Sequence, residues 1–408
     1  MPIDCLRKDD GVKRKVRGFS LPPSHQVLLA NWREPDFAQW SFSHLWQLLP
    51  TALMRPADRP TAIVEARQDI QDLPFLDARG KHQQLSKFLL ASQTDCFAVM
   101  KNGKLVYDWF SGFGSPDRQH VVFSVTKSMA SLLTGVLVGQ GLIDPERLIT
   151  DCLHELSDSA YAGATIRNLL DMQIASAFIE DYLDIDGIFM AYRRASAWNP
   201  IEEGDQNEGL RDFLTRMPTS NTAHGTCYHY CSPHSDVLGW VIERSGGASF
   251  AELFSRHILV PCGAHHEAYI TLDTFGAPRV SGGLCITIYD LLRIGQMVCN
   301  GGVVGGKQIV PKSWIEDIFD LRDNKIWLQQ QGGHGPRLFV NGNYRSQWYL
   351  PNQAHHVACG IGIHGQWLWV DRDNDLVIVK MASNGTVVDT AADKSLLSAF
   401  TAIEDFLR

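Results

Sequence analysis

Two β-hairpin patterns at opposite ends of the chain constrain the fold most. The stretch 96-CFAVMKNGKLVYDWFSG-112 carries two apolar runs around Asn102-Gly103, a dipeptide suited to the positive φ angles of a tight hairpin turn. Far downstream, 366-QWLWVDRDNDLVIVKMAS-383 repeats the pattern with two β-rich runs around a polar turn. Between them lie helical patches at 124–141, 163–174 and 235–247, the last ending at Gly246-Gly247, and residues 145–300 read as mostly helical. The final 391-AADKSLLSAFTAIEDFLR-408 has the apolar spacing of an amphipathic helix. Hairpins early and late with helices between predict an α+β fold. Its antiparallel sheet is assembled from both ends of the chain, flanked by helices, and carries an inserted helical region.

The expected division is 1–144, holding an N-terminal wrap, the first hairpin and one helix; 145–280, a mostly helical insertion; and 281–408, the rest of the α/β part. Residues 1–90 are rich in Pro, Gln and Asp, with an amphipathic stretch at 40-WSFSHLWQLLP-50, and read as an irregular wrap with short helices. A net charge of −8 argues against a nucleic-acid surface. The one basic cluster, 12-VKRKVR-17, reads as a solvated arm. The start has no apolar signal segment and no window is apolar enough to span a membrane, so a cytoplasmic protein is expected. Nine scattered cysteines then read as reduced thiols. Cys227 and Cys231 lack a second pair or histidines at zinc spacing, so neither metal nor cofactor is expected.

Chemistry concentrates in 121-VVFSVTKSMASLLTGVLVGQGLID-144, where Lys127 stands three residues after Ser124 at the head of an apolar helix. At that spacing both side chains share one helix face, so the amine can reach the hydroxyl. Burial and the positive end of the helix dipole both favour a neutral lysine, and the free N–H groups there favour an oxyanion. A capping serine with a snorkelling lysine would produce the same letters. Two more stretches bear on the choice. In 224-HGTCYHYCSPHSDVLGWVIERSGG-247 an aromatic loop with Tyr230 leads into a helix, and 358-ACGIGIHGQWLWV-370 is a glycine-punctuated strand open to close approach by a ligand.

Together, Ser124-Val-Thr-Lys127, Tyr230-Cys231-Ser232 and Gly360-Ile361-Gly362 resemble the three active-site motifs of the serine β-lactamase and penicillin-binding-protein superfamily. The stretches 41–50, 169–184, 281–298 and 360–371 extend the likeness to the 6-aminohexanoate-dimer hydrolases, nylon-oligomer amidases of that superfamily. The resemblance implies a β-lactamase-like fold and an acyl-enzyme mechanism. Ser124 is then the nucleophile and Lys127 its base, while Tyr230 shares their proton network and protonates the leaving group. By the same resemblance the backbone N–H groups of Ser124 and Ile363 would form the oxyanion hole, and Tyr182 would reach the substrate amide from a facing loop. Ser232 and His364 border the cleft, and Ser281 either lines it or makes a turn.

Two departures narrow the substrate. Gly360 stands where penicillin-recognising members carry a lysine, with no fixed charge replacing it, and Ser232 stands where many have asparagine. Both argue against a β-lactamase or a transpeptidase. A small linear amide or ester is the expected partner, with a second copy of the chain left open. A carboxylesterase without useful amide activity and an idle scaffold on the same fold are the alternatives. His229, His234 and His364 suggest a Ser–His arrangement, but there is no G-x-S-x-G turn to present the serine.

Overall fold

The structure, a computed structural model, describes residues 26–202, 204, 207–320, 324–329, 334–352 and 355–408; the basic cluster at 12–17 and Cys5 lie outside them. The main sheet has eight strands: β1 (Val64–Glu65), β2 (Thr94–Lys101), β3 (Lys104–Phe110), β4 (Asn343–Arg345), β5 (Trp348–Leu350), β6 (Val357–Gly362), β7 (Gln366–Asp371) and β8 (Leu376–Ala382). Their spatial order is β4-β5-β6-β7-β8-β2-β3-β1. Every pairing is antiparallel except the short parallel contact of β1 with β3. Both expected hairpins are present, and they meet where β8 pairs with β2, so the two ends of the chain close one sheet. At the first turn Asn102 and Gly103 both have positive φ, 52° and 69°, the conformation that the dipeptide favours.

Side chains alternate across this sheet with period two. Ala98, Met100, Val377 and Val379 join one apolar cluster, while Phe97, Val99, Leu376 and Ile378 join another. Four helices frame the sheet and the serine motif: α1 (Val125–Gly139), α2 (Ser232–Gly246), α3 (Ile288–Cys299) and α4 (Thr390–Leu407). Helix α4 covers the second face, where Phe400 meets Trp367 and Trp369 at ring separations of 6.0 and 5.4 Å. The first face is covered by α1 and α3, and their cluster continues through Leu169, Leu170 and Leu238. The region 145–280 thus packs on the same apolar core as the sheet. It is less helical than its sequence suggests: α2 is its one helix longer than eight residues among the described ones, and the patch at 163–174 yields only Ile166–Leu170. A second, four-stranded sheet joins Thr51–Met54, Ala268–Thr271, Leu284–Ile286 and His120–Val121.

Helix α1 is buried on all sides from Val125 to Leu137, its polar positions being Lys127 and small hydroxyl residues. Strand β6 runs directly over it. A Cβ built on Gly360 would lie 2.9 Å from Ser128 Oγ, so only glycine lets β6 approach this closely. No described helix is long and apolar enough to cross a membrane.

Candidate active site

Ser124 sits at the N-cap of α1, yet its side chain makes no capping hydrogen bond, which leaves Oγ available for chemistry. The preceding residue, Phe123, holds a positive φ of 42°, a costly conformation for a bulky residue. Its ring is enclosed by Trp32, Phe42, Trp198 and His364, with centroids 5.0–6.3 Å away. This packing holds the bend that exposes Ser124.

Lys127 is 1 % exposed, and it does not snorkel. Its Nζ donates to Ser124 Oγ at 3.0 Å, to Ser232 Oγ at 3.1 Å and to the Ser281 carbonyl at 2.5 Å. Burial pulls its pKa down to about 8 against the opposing pull of Glu180 and Asp236, and the nearby Arg279 guanidinium lowers it further. About a tenth of the amine is therefore neutral at pH 7, within reach of the serine.

A second tier holds this pair. The Glu180 carboxylate accepts from Ser232 N at 2.6 Å, Ser232 Oγ at 2.9 Å and Tyr182 Oη at 2.5 Å. Asp236, on α2, accepts from Ser281 N at 2.7 Å and from the Tyr192 hydroxyl, fixing the carbonyl that Lys127 uses. Glu180, Asp236 and Tyr192 were not apparent from the sequence. A glutamate two residues before an expected substrate tyrosine, on a chain with no alternation or helix pattern there, looks like any loop acid.

The other expected residues divide. Tyr182, Tyr230 and Ile363 line the main cavity together with Ser124. Tyr230 places its ring centroid 5.2 Å from Lys127 Nζ, but among the described residues its hydroxyl makes no hydrogen bond to Ser124 or Lys127. Ser232 fills the place in the proton network expected for Tyr230. Burial raises the Tyr230 pKa well above the usual phenol range, so the hydroxyl keeps its proton and can act as a donor. Ser281 acts mainly through its carbonyl, with Oγ 3.0 Å from Tyr192 Oη.

His364 is a correction. Its ring points away from the cavity, packs on Phe42 and Phe123, and bonds through Nδ1 to the Asn384 carbonyl at 2.7 Å. Burial lowers its pKa to about 4, and it acts as a neutral support for Phe123. His229 and His234 are likewise held neutral by burial, and neither bonds to Ser124 among the described residues.

Neither the Ser124 nor the Ile363 N–H donates a turn, loop or side-chain hydrogen bond among the described residues. Two cavities meet at Ser124. The larger, about 180 Å³, is lined by Tyr228, Tyr230, Tyr349, Ile361, Val388 and Leu396, with Lys380 and Asp393 also on its wall. The smaller, about 30 Å³, is lined by Tyr182, Ser281, Trp198 and the arginines Arg33, Arg193 and Arg279. Three arginines thus border the serine from outside the strand position at Gly360. No cluster of potential metal ligands occurs among the described residues.

The β-lactamase family profile matches residues 90–400, spanning the sheet, α1, Tyr230 and β6. The chain belongs to the β-lactamase family. A 6-aminohexanoate-dimer hydrolase of Paenarthrobacter ureafaciens is 31 % identical over 358 residues, covering 87 % of this chain and 88 % of that protein. A Bacillus anthracis protein provisionally named 6-aminohexanoate-dimer hydrolase superposes with a TM-score of 0.84 at 24 % identity, covering 95 % of this chain and 99 % of its own. A family VIII carboxylesterase shares the fold with a TM-score of 0.55 at 16 % identity, covering 78 % of this chain and 95 % of its own. This β-lactamase-family chain is a serine hydrolase of amides or esters.

Proposed function

We propose that the protein cleaves small linear amides, and esters alike, through an acyl-enzyme on Ser124. The observation that carries the reading is the buried Lys127, at 3.0 Å from Ser124 Oγ and with a pKa pulled down to about 8. Ser124 Oγ attacks the substrate carbonyl while Lys127 takes its proton. The oxyanion of the tetrahedral intermediate lies between the free N–H groups of Ser124 and Ile363. As the intermediate collapses, the leaving nitrogen or oxygen receives a proton relayed from Lys127 through the Tyr230 hydroxyl, which approaches once substrate bridges the gap. Water then attacks the acyl carbonyl, with Lys127 again as base. Tyr182, tied to Glu180 in the wall of both cavities, is placed to bond the substrate amide.

Amide competence is favoured over ester cleavage alone by the likeness to the P. ureafaciens dimer hydrolase across most of both chains. The apolar, tyrosine-lined main cavity suits an extended aliphatic chain. A panel of aliphatic p-nitrophenyl esters and 6-aminohexanoate dimer tests this. Turnover of both supports the reading, while ester turnover with no amide turnover at any concentration supports the carboxylesterase alternative.

A further inference from the structure

The small cavity beside Ser124 has a lining that the proposed mechanism does not use. Arg33, Arg193 and Arg279 all border it, and none forms an ion pair with a carboxylate among the described residues. Arg279 is 4 % exposed and lies between the Tyr192 and Trp198 rings, 4.1 and 4.6 Å from their centroids. Its Nε and Nη1 have no hydrogen-bond partner among the described residues. Arg193 rests on the Phe189 ring at 4.4 Å, and Arg33 donates only to neutral acceptors, the Trp198 carbonyl at 3.0 Å and Asn199 Oδ1.

The nearest acids are already engaged. Glu180 uses both oxygens on Ser232 and Tyr182, Asp236 uses both on Ser281 and Tyr192, and Asp184 accepts from the Asp186 and Gly187 amides. Burial lowers the pKa of Arg33 most, and the Arg193 and Arg279 guanidinium groups lower it further, a sign of mutual repulsion. Gathering like charges beside aromatic faces, with donors unmet, costs stability unless an anion joins them. Planar guanidinium donors suit a carboxylate, and the volume of about 30 Å³ takes roughly two waters or one such group.

We propose that Arg33, Arg193 and Arg279 form an anion subsite, and that the natural substrate carries a carboxylate a few bonds from the scissile carbonyl. The inference rests on the serine-hydrolase reading and names its substrate class: an apolar chain in the large cavity and a carboxylate in the small one. Two chemistries supply this. A half-ester of a short diacid carries the carboxylate on the acyl side, and an N-acyl amino acid carries it on the leaving-group side.

The test compares four compounds with the full chain: monomethyl succinate, dimethyl succinate, N-hexanoylglycine and N-hexanoylglycinamide. The expected result is an anionic compound preferred over its neutral partner by roughly ten- to a hundredfold in kcat/KM, the scale of a charge-assisted contact. Preference in the succinate pair places the carboxylate on the acyl side, and preference in the glycine pair places it on the leaving side. Arg193→Gln should shrink that ratio through KM. Inhibition of neutral-ester turnover by free succinate should weaken in parallel in Arg193→Gln, a second readout of the same subsite. Neutral partners reacting equally or faster in both pairs, with Ser124 still taking a fluorophosphonate label, would overturn the subsite and leave the serine-hydrolase reading standing. Absence of the label from Ser124 would overturn both.

Discussion

Replacing Glu180 with glutamine should move the acid limb of the activity profile towards lower pH. In the proposed mechanism Lys127 must be neutral to accept the serine proton, so kcat/KM for a neutral ester should rise as pH passes its pKa, about 8. Glu180 is the strongest influence opposing the effect of burial, since its carboxylate favours the ammonium form. Ser232 Oγ bridges the two groups, with 3.1 Å to Nζ and 2.9 Å to the carboxylate. Their charges are therefore separated by at most about 6 Å, worth roughly 2–3 kcal/mol at an effective dielectric near 20. Glutamine removes the charge and keeps one oxygen for the Ser232 N–H, while its amide nitrogen donates to the Ser232 and Tyr182 hydroxyls, which turn to accept. Without it Lys127 should titrate about 1–2 units lower, so the limb falls to roughly pH 6–7. Initial rates at low substrate concentration from pH 5 to 10, with p-nitrophenyl acetate and wild type in parallel, measure this. A limb that stays in place or moves upward would refute the assignment of Lys127 as the titrating base.

Three further outcomes are expected from the same geometry. Lys127 binds its proton more weakly when folded, with a pKa near 8 against 10.5 for the free group. The unfolded chain therefore holds the extra proton between those values, and stability must rise with pH across that window. The stability of wild type relative to Lys127→Met should improve by up to about 3 kcal/mol from pH 7 to pH 10.5 in urea titrations, and a flat difference would contradict the burial effect. Tyr230→Phe should slow amide hydrolysis by about 10²–10⁴-fold and a p-nitrophenyl ester only a few-fold, because nitrophenolate leaves without a proton. Equal losses on both substrates would remove Tyr230 from proton delivery. Gly360→Val should cost about 1–3 kcal/mol in urea stability by forcing β6 away from Ser128, and it should lower turnover as the Ile363 N–H shifts; wild-type stability would contradict the close approach.

The hairpins, α1 and α4 were legible because their signals are local: Asn102-Gly103 for the turn, and apolar spacing for the helices. Ser124 and Lys127 were legible for the same reason, since three residues on a helix set their separation. What stayed hidden depends on contacts across the chain. Glu180 reaches Ser232 over 52 residues, and the Ser281 carbonyl reaches Lys127 over 154. The arginines at 33, 193 and 279 share no local pattern, and only the folded chain brings them to one cavity. His364 misled because proximity to the glycine strand says nothing of direction: a positive φ of 62° turns its ring inward. Helical content between 145 and 280 was overestimated because buried loops there carry apolar residues at helix-like spacing, and tertiary packing decided their shape.

The whole mechanism depends on covalent chemistry at Ser124, and mapping the adduct reaches that chemistry directly. The protein is incubated with a fluorophosphonate or a slowly hydrolysed ester, digested and mapped by mass spectrometry. Wild type should carry one adduct, on Ser124. Ser124→Ala should carry none and lose about three or more decades in kcat. An adduct on any other residue, or ester turnover by Ser124→Ala within a few-fold of wild type, would contradict the mechanism.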